Sequence, residues 1–334
     1  MNNRMTQLAF LLLVLLVLLS PLPLGSNREW SWSAVALLTG GLGVFWLIAA
    51  TLRPADINPR LHIAIPILFA AALAWMVYQV APGSPAGWHH PLWQMAGDTL
   101  GESLPGRISI APEAGWTAIM RLLAYALVFL LALQLGRQER YARAVFGVLT
   151  LGGLVYAIFG LFSYWGGYHP VWLFGEQTLP HDVRSTFVNR NHFATWQGLA
   201  VICAVAYFYQ RMARPDVKPY AVPKELQDRV EDFVLKAWKP MIALLLMVTA
   251  LILTHSRGGF LAAAAGLVVF LWLLDHRMSM RQDAGRRKFS LAVGGTALVV
   301  AGIAFFLTSE VLLDRINRTE ISAEERVAVY ANIN

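Results

Sequence analysis

Residues 33–52, SAVALLTGGLGVFWLIAATL, contain no charged side chain. As a helix rising 1.5 Å per residue, a run of that length spans about 30 Å, the thickness of a bilayer's hydrocarbon layer. Similar runs recur along the chain. Only 14% of its 334 residues are charged, against about 25% in ordinary soluble domains. The bilayer is therefore the main solvent of this chain. In lipid every backbone polar group must be satisfied internally, and runs this long without strict alternation favour helices over a barrel. The expected fold is all-α: a polytopic transmembrane helical bundle of about nine spans. They lie near 5–24, 33–52, 61–81, 116–136, 143–165, 193–210, 240–254, 260–275 and 290–308, so residues 1–308 form the transmembrane domain.

Basic residues set the orientation. Arg4 before a leucine run looks like a signal peptide, but SPLPLGS offers no small-x-small cleavage site, so a retained helix is expected. With the N-terminus in the cytoplasm, the inner segments hold 18 Lys and Arg and the outer segments 8. Inner loops carry such an excess, which places the C-terminus on the outer face of the membrane. The same bias accounts for the net charge of +7 without nucleic acid. Cys203 is the single cysteine and lies in an apolar run, so it is read as a small packing residue and no intrachain disulfide exists.

Three polar segments then face out. Loop 82–115 contains Trp88, His89, His90 and Trp93; loop 166–192 ends in RSTFVNRNHFATW; and the turn THSRGG joins the seventh and eighth spans. Segment 211–239 faces in. Within it Leu226, Val230, Phe233, Val234 and Trp238 recur at helical spacing, the pattern of an amphipathic helix lying on the membrane surface.

The chemistry-bearing residues stand where spans begin. Asn189 or Asn191 can cap the sixth span by accepting a first-turn N–H. Arg190 adds a full charge beside the positive end of the helix dipole, and helix N-termini hold anions. An arginine there suits a phosphate or pyrophosphate, whose oxygens match its planar fork. THSRGGF follows the same logic: Ser256 can cap, Arg257 sits at the mouth, and Gly258 and Gly259 allow a tight turn and close backbone approach. If the two starts converge, Arg190 and Arg257 form one diphosphate site, shaped by Arg184, Asn189, Asn191, His192, Ser256, Gly258 and Gly259. His192 and His255, beside the two arginines, have the chemistry of an acid or base. Arg121, within the fourth span, reads as a snorkelling side chain or as a third clamp position. The outer carboxylates Asp98, Glu102, Glu113, Glu176 and Asp182 show no metal-ligand spacing, so neither metal nor cofactor is expected. The spans carry almost no acidic residues, which argues against an ion-coupled transporter.

FVNRNHFA (187–194) and SRGGFLA (256–262) together resemble the O-antigen ligase and O-antigen polymerase family of bacterial membrane glycosyltransferases, and RISIAPEAGWTAIMRLLAYALVF (107–129) and SAEERVAVY (322–330) are similar to its members. The resemblance implies a fold of the C-type membrane glycosyltransferases. It also implies metal-independent transfer of a glycan from an undecaprenyl-pyrophosphate carrier to lipid A–core or to another carrier-linked glycan, with Arg190 and Arg257 on the pyrophosphate. Such proteins carry a long periplasmic loop after the ninth span, with a histidine as base. Here that span ends near Thr308, and residues 309–334 only begin a loop. Ser322 and Glu325 announce a helix as an S-x-x-E capping box with nine residues left to run. The sequence thus reads as C-terminally truncated, with the base expected beyond Asn334. The other classes are a non-catalytic binder of lipid-linked glycan or inactive fragment, and a polysaccharide transporter.

Overall fold

The computed structural model describes residues 3–52, 63–167, 182–212 and 226–279, with side chains except at 3, 211–212, 226–237 and 277–279. Among the described residues all regular structure is helical. The α-helices are α1 (Asn3–Leu19), α2 (Glu29–Leu52), α3 (Ala64–Val80), α4 (Leu92–Leu100), α5 (Pro112–Gly136), α6 (Glu139–Gly166), α7 (Arg190–Met212), α8 (Leu226–Ile252) and α9 (Arg257–Ser279). Four stretches are long and apolar enough to cross a membrane: Glu29–Thr51, Pro112–Gly136, Glu139–Gly166 and Arg257–His276. Arg4–Leu19, Ala64–Val80 and Trp238–Ile252 are apolar but shorter. The first eight spans read from the sequence fall on helices other than α4; the ninth, near 290–308, lies outside the described residues, as does segment 309–334. The apolar character extends to exposed faces, with Leu37 76%, Leu245 65% and Trp272 64% accessible. Such surfaces are unfavourable in water and ordinary against lipid.

The chain divides into two compact units. The first comprises residues 1–20 and 26–142, the second residues 21–25 and 143–334. In the first unit α1, α2 and α3 all pack on α5. A Cβ on Gly43 would meet Leu127 at 2.7 Å, and one on Gly115 would clash with Val80, so glycine sets how closely α2 and α3 approach α5. Loop 82–115 is folded: it contains α4, which ends at left-handed Gly101 with φ 69°. Trp88 stacks edge-on against Trp75 and Tyr78. His89 bonds the Ser84 carbonyl through Nε2 at 2.8 Å, and the Trp93 indole donates to the Ser109 carbonyl at 3.1 Å. His89 and Trp93 thus hold this loop together.

The second unit is built around α7, which packs on α8 and α9. Phe193 and Met247 are fully buried at its centre, with Val183, Phe187 and Tyr156 around them. Cys203 is buried on α7, in keeping with a packing role. α8 runs unbroken through Pro240, whereas the sequence reading divides this stretch at 239 into a surface helix and a span. Proline lacks the N–H that would reach back one turn, but it does not end this helix; the amphipathic pattern and the span belong to one element.

Candidate functional site

The site is assembled where α7 and α9 begin. A Cβ on Gly259 would clash with Ala194, one on Gly198 would meet Ala263 at 2.9 Å, and one on Gly266 would meet Ile202 at 2.5 Å. Positions rise together along both helices, so α7 and α9 run parallel, nearly in contact, with their N-termini side by side. The convergence that the sequence reading required is present. Arg190 and Arg257 are each the first residue of their helix.

Local chemistry fixes both starts. The Asn189 side-chain oxygen accepts the Asn191 N–H at 2.8 Å, so Asn189, not Asn191, is the cap. The Ser256 hydroxyl oxygen accepts the Gly259 N–H at 3.2 Å, the cap foreseen for α9. The turn before α9 differs from expectation. Gly258 and Gly259 lie inside the helix, and the left-handed residue is His255, with φ 50°. The two glycines therefore do not make the turn. Gly259 admits Ala194 of α7, whereas a Cβ on Gly258 would meet nothing within 4 Å.

Asp182 organises the rest. The Val183 N–H donates to the Leu253 carbonyl at 2.9 Å, which ties the segment before α7 to the end of α8. The Ser185 hydroxyl donates to the Tyr156 carbonyl at 2.8 Å, and that of Thr186 to the Pro21 carbonyl at 2.7 Å. The segment is thus pinned on three sides. Pinned there, Asp182 is 8% exposed at its side chain and takes the Arg190 Nη1 at 2.8 Å, the His255 Nδ1 at 3.0 Å and, more loosely, the Arg184 Nη2 at 3.8 Å. Burial alone would raise its pKa, but the His255 hydrogen bond and the Arg190 charge outweigh it and hold the carboxyl below its ordinary value. Asp182 is therefore ionised at neutral pH and can only accept. His255 must then carry its proton on Nδ1, and a neutral ring presents Nε2 as the free base.

The remaining predicted residues fall around this centre. Arg184 has a buried Nε without a hydrogen-bond partner among the described residues, and its Nη1 reaches the Val188 carbonyl at 3.5 Å. Arg257 is half-buried and bonds none of the described residues. Asn191, His192 and Gly258 are exposed on the first turns of the two helices. Among the described residues no group of three His, Cys, Asp or Glu converges. Asp182 is the residue that sequence reasoning missed as a site member. It stood among carboxylates read as outer and sorted for metal spacing, and its link to His255 spans 73 residues.

Compared with protein families, with curated proteins and with solved structures, the chain finds no match.

Proposed function

We propose that this chain is a membrane glycosyltransferase of the O-antigen ligase and polymerase kind, or the donor-binding part of one. On this reading it takes an undecaprenyl-pyrophosphate-linked glycan at the periplasmic face of the inner membrane, within a bundle of about nine spans. The observation that supports it is the parallel, touching pair of helix N-termini that each begin with arginine. Among the described residues, two dipole ends and the cations Arg184, Arg190 and Arg257 outweigh one carboxylate, so these residues carry surplus positive charge. An anion with several oxygens relieves that surplus.

In transfer, the carrier diphosphate is the leaving group. Arg190 and Arg257 stabilise the charge that develops on it as the glycosidic bond to the phosphate breaks. Asp182 holds Arg190 in place and fixes the His255 tautomer. The acceptor is lipid A–core or a second carrier-linked glycan, and its hydroxyl must lose a proton to a base. His255, whose Nδ1 is held by Asp182, offers Nε2 for that role when the ring is neutral.

The test uses the purified full chain in lipid nanodiscs with a short-chain polyprenyl-pyrophosphate glycan. Wild type should bind it, and Arg190→Ala and Arg257→Ala should each weaken binding at least tenfold while inserting normally. Unchanged binding in both variants would sink the proposal. Binding without release of the carrier pyrophosphate would make this chain a binding protein rather than an enzyme.

A further inference from the structure

The first unit contains an open cavity of about 820 Å³, lined by Trp32, Thr117 and Arg121 together with Glu29, Glu113 and Tyr125. It shares no residue with the Asp182 cluster. Arg121 is the unusual member. It lies nine residues into α5, about 13 Å from the helix start at 1.5 Å per residue, in a helix long and apolar enough to cross a membrane. A cation at that depth is costly unless something meets it. One face of its guanidinium is covered by the Trp32 ring, with 4.3 Å from Cζ to the ring centre. Its Nε is buried without a hydrogen-bond partner among the described residues, and neither glutamate of the cavity pairs with it there.

Two acids and one base thus line a single cavity without neutralising one another. Each glutamate stands in the first turn of its helix, Glu29 on α2 and Glu113 on α5. A carboxylate offers oxygens that accept hydrogen bonds. The lining carries a net −1 from these three groups, which disfavours phosphate or pyrophosphate. A ligand must instead offer donors to carboxylates, acceptors to a guanidinium and an apolar face to aromatic rings. A pyranose ring does all three: its hydroxyls donate and accept, and its C–H face packs on aromatic carbon. We propose that this cavity binds an uncharged sugar residue. Its hydroxyls bridge Arg121 with Glu29 and Glu113, and its C–H face rests on Tyr125.

The test is saturation-transfer NMR on the full chain in phosphatidylcholine nanodiscs, with the methyl glycosides of glucose, galactose, mannose and N-acetylglucosamine as probes. At least one should receive saturation at its ring protons. Affinity should fall tenfold or more in Glu113→Gln and Tyr125→Ala. Both positions are exposed, so these variants leave the fold intact even if Arg121→Leu does not. No transfer to any of the four glycosides overturns the proposal. So does transfer that persists undiminished in both variants, and so does Arg121-dependent binding of inorganic phosphate in place of the sugars.

Discussion

Asp182→Ala is the most informative single substitution in the second unit. The wild-type carboxylate accepts two short hydrogen bonds, from Arg190 at 2.8 Å and from His255 at 3.0 Å, with Arg184 at 3.8 Å. Hydrogen bonds to a charged group contribute about 1.5–3 kcal/mol each. The donors are 21% and 29% exposed at their side chains, so solvent takes back part of that, and the lower end applies to both. Removing the carboxylate also leaves Arg184 and Arg190 facing each other without a counter-charge. The sum is about 3–4 kcal/mol, which at roughly 2–4 °C per kcal/mol for a chain of this size lowers the melting temperature by about 6–16 °C. Asp182→Asn should lose less, because its carbonyl still accepts from Arg190. Its amide would donate to Nδ1 of His255 and move the ring proton to Nε2. The assay is thermal unfolding in detergent followed by intrinsic tryptophan fluorescence. A melting temperature for Asp182→Ala within 1 °C of wild type would refute the hub, since no rearrangement of two arginines and a histidine replaces a buried carboxylate at no cost.

The pH dependence follows from the same group. The folded-state pKa of Asp182 is depressed, so its contribution is complete above the unfolded value of about 3.9 and is lost as pH falls through the folded value. Asp182→Asn should remove that part of the acid destabilisation below about pH 4, and identical acid limbs in the two proteins would contradict the assignment. The glycine doublet should split. Gly259→Ala forces a Cβ onto Ala194 and should cost about 1–3 kcal/mol, whereas Gly258→Ala points into open space and should leave the melting temperature unchanged or raise it. Equal losses at both positions would mean that α7 and α9 are not packed through Gly259. The arginines should also differ in their tolerance of lysine. Arg190 already spends one donor on Asp182 and needs its planar fork to serve an anion as well, so Arg190→Lys should weaken polyprenyl-pyrophosphate binding at least tenfold. Arg257 bonds none of the described residues, so Arg257→Lys should weaken it only a few-fold. Titration of both variants decides this, and equal affinities would remove the asymmetry.

Helix existence was legible because lipid-length apolar runs leave the backbone few alternatives. The mouths of α7 and α9 were legible too, because caps are local: Asn189 and Ser256 each reach an N–H two or three residues ahead. The turn before α9 was misassigned for a physical reason. Glycine is the usual left-handed residue, but here His255 takes that conformation, and the tight space falls on Gly259 through an interhelical contact. That contact did leave a trace. Ala194 and Gly198 on one helix, and Gly259 and Ala263 on the other, are small residues four apart, the spacing that lets two helix backbones close together. Asp182 left none, since a bond across 73 residues has no local period. A usable cue was charge: Asp182 stands two residues before Arg184 and eight before Arg190.

Asp182 also explains how Arg184 and Arg190 can stay ordered side by side. Unpaired guanidiniums at two adjoining helix N-termini would repel one another and the dipoles behind them. A single buried carboxylate, taking Arg190 and His255 in short bonds and Arg184 at longer range, offsets one charge and fixes the direction of the others. It does so without filling the site. Arg190 gives Asp182 one nitrogen, Nη1, and retains its other donors; Arg257 remains half-buried at the neighbouring helix start. A second carboxylate here would offset most of the charge that the arginines bring. With none, repulsion between the guanidiniums would disorder the cluster. Among the described residues, one acid against three arginines keeps the cluster arranged and positively charged.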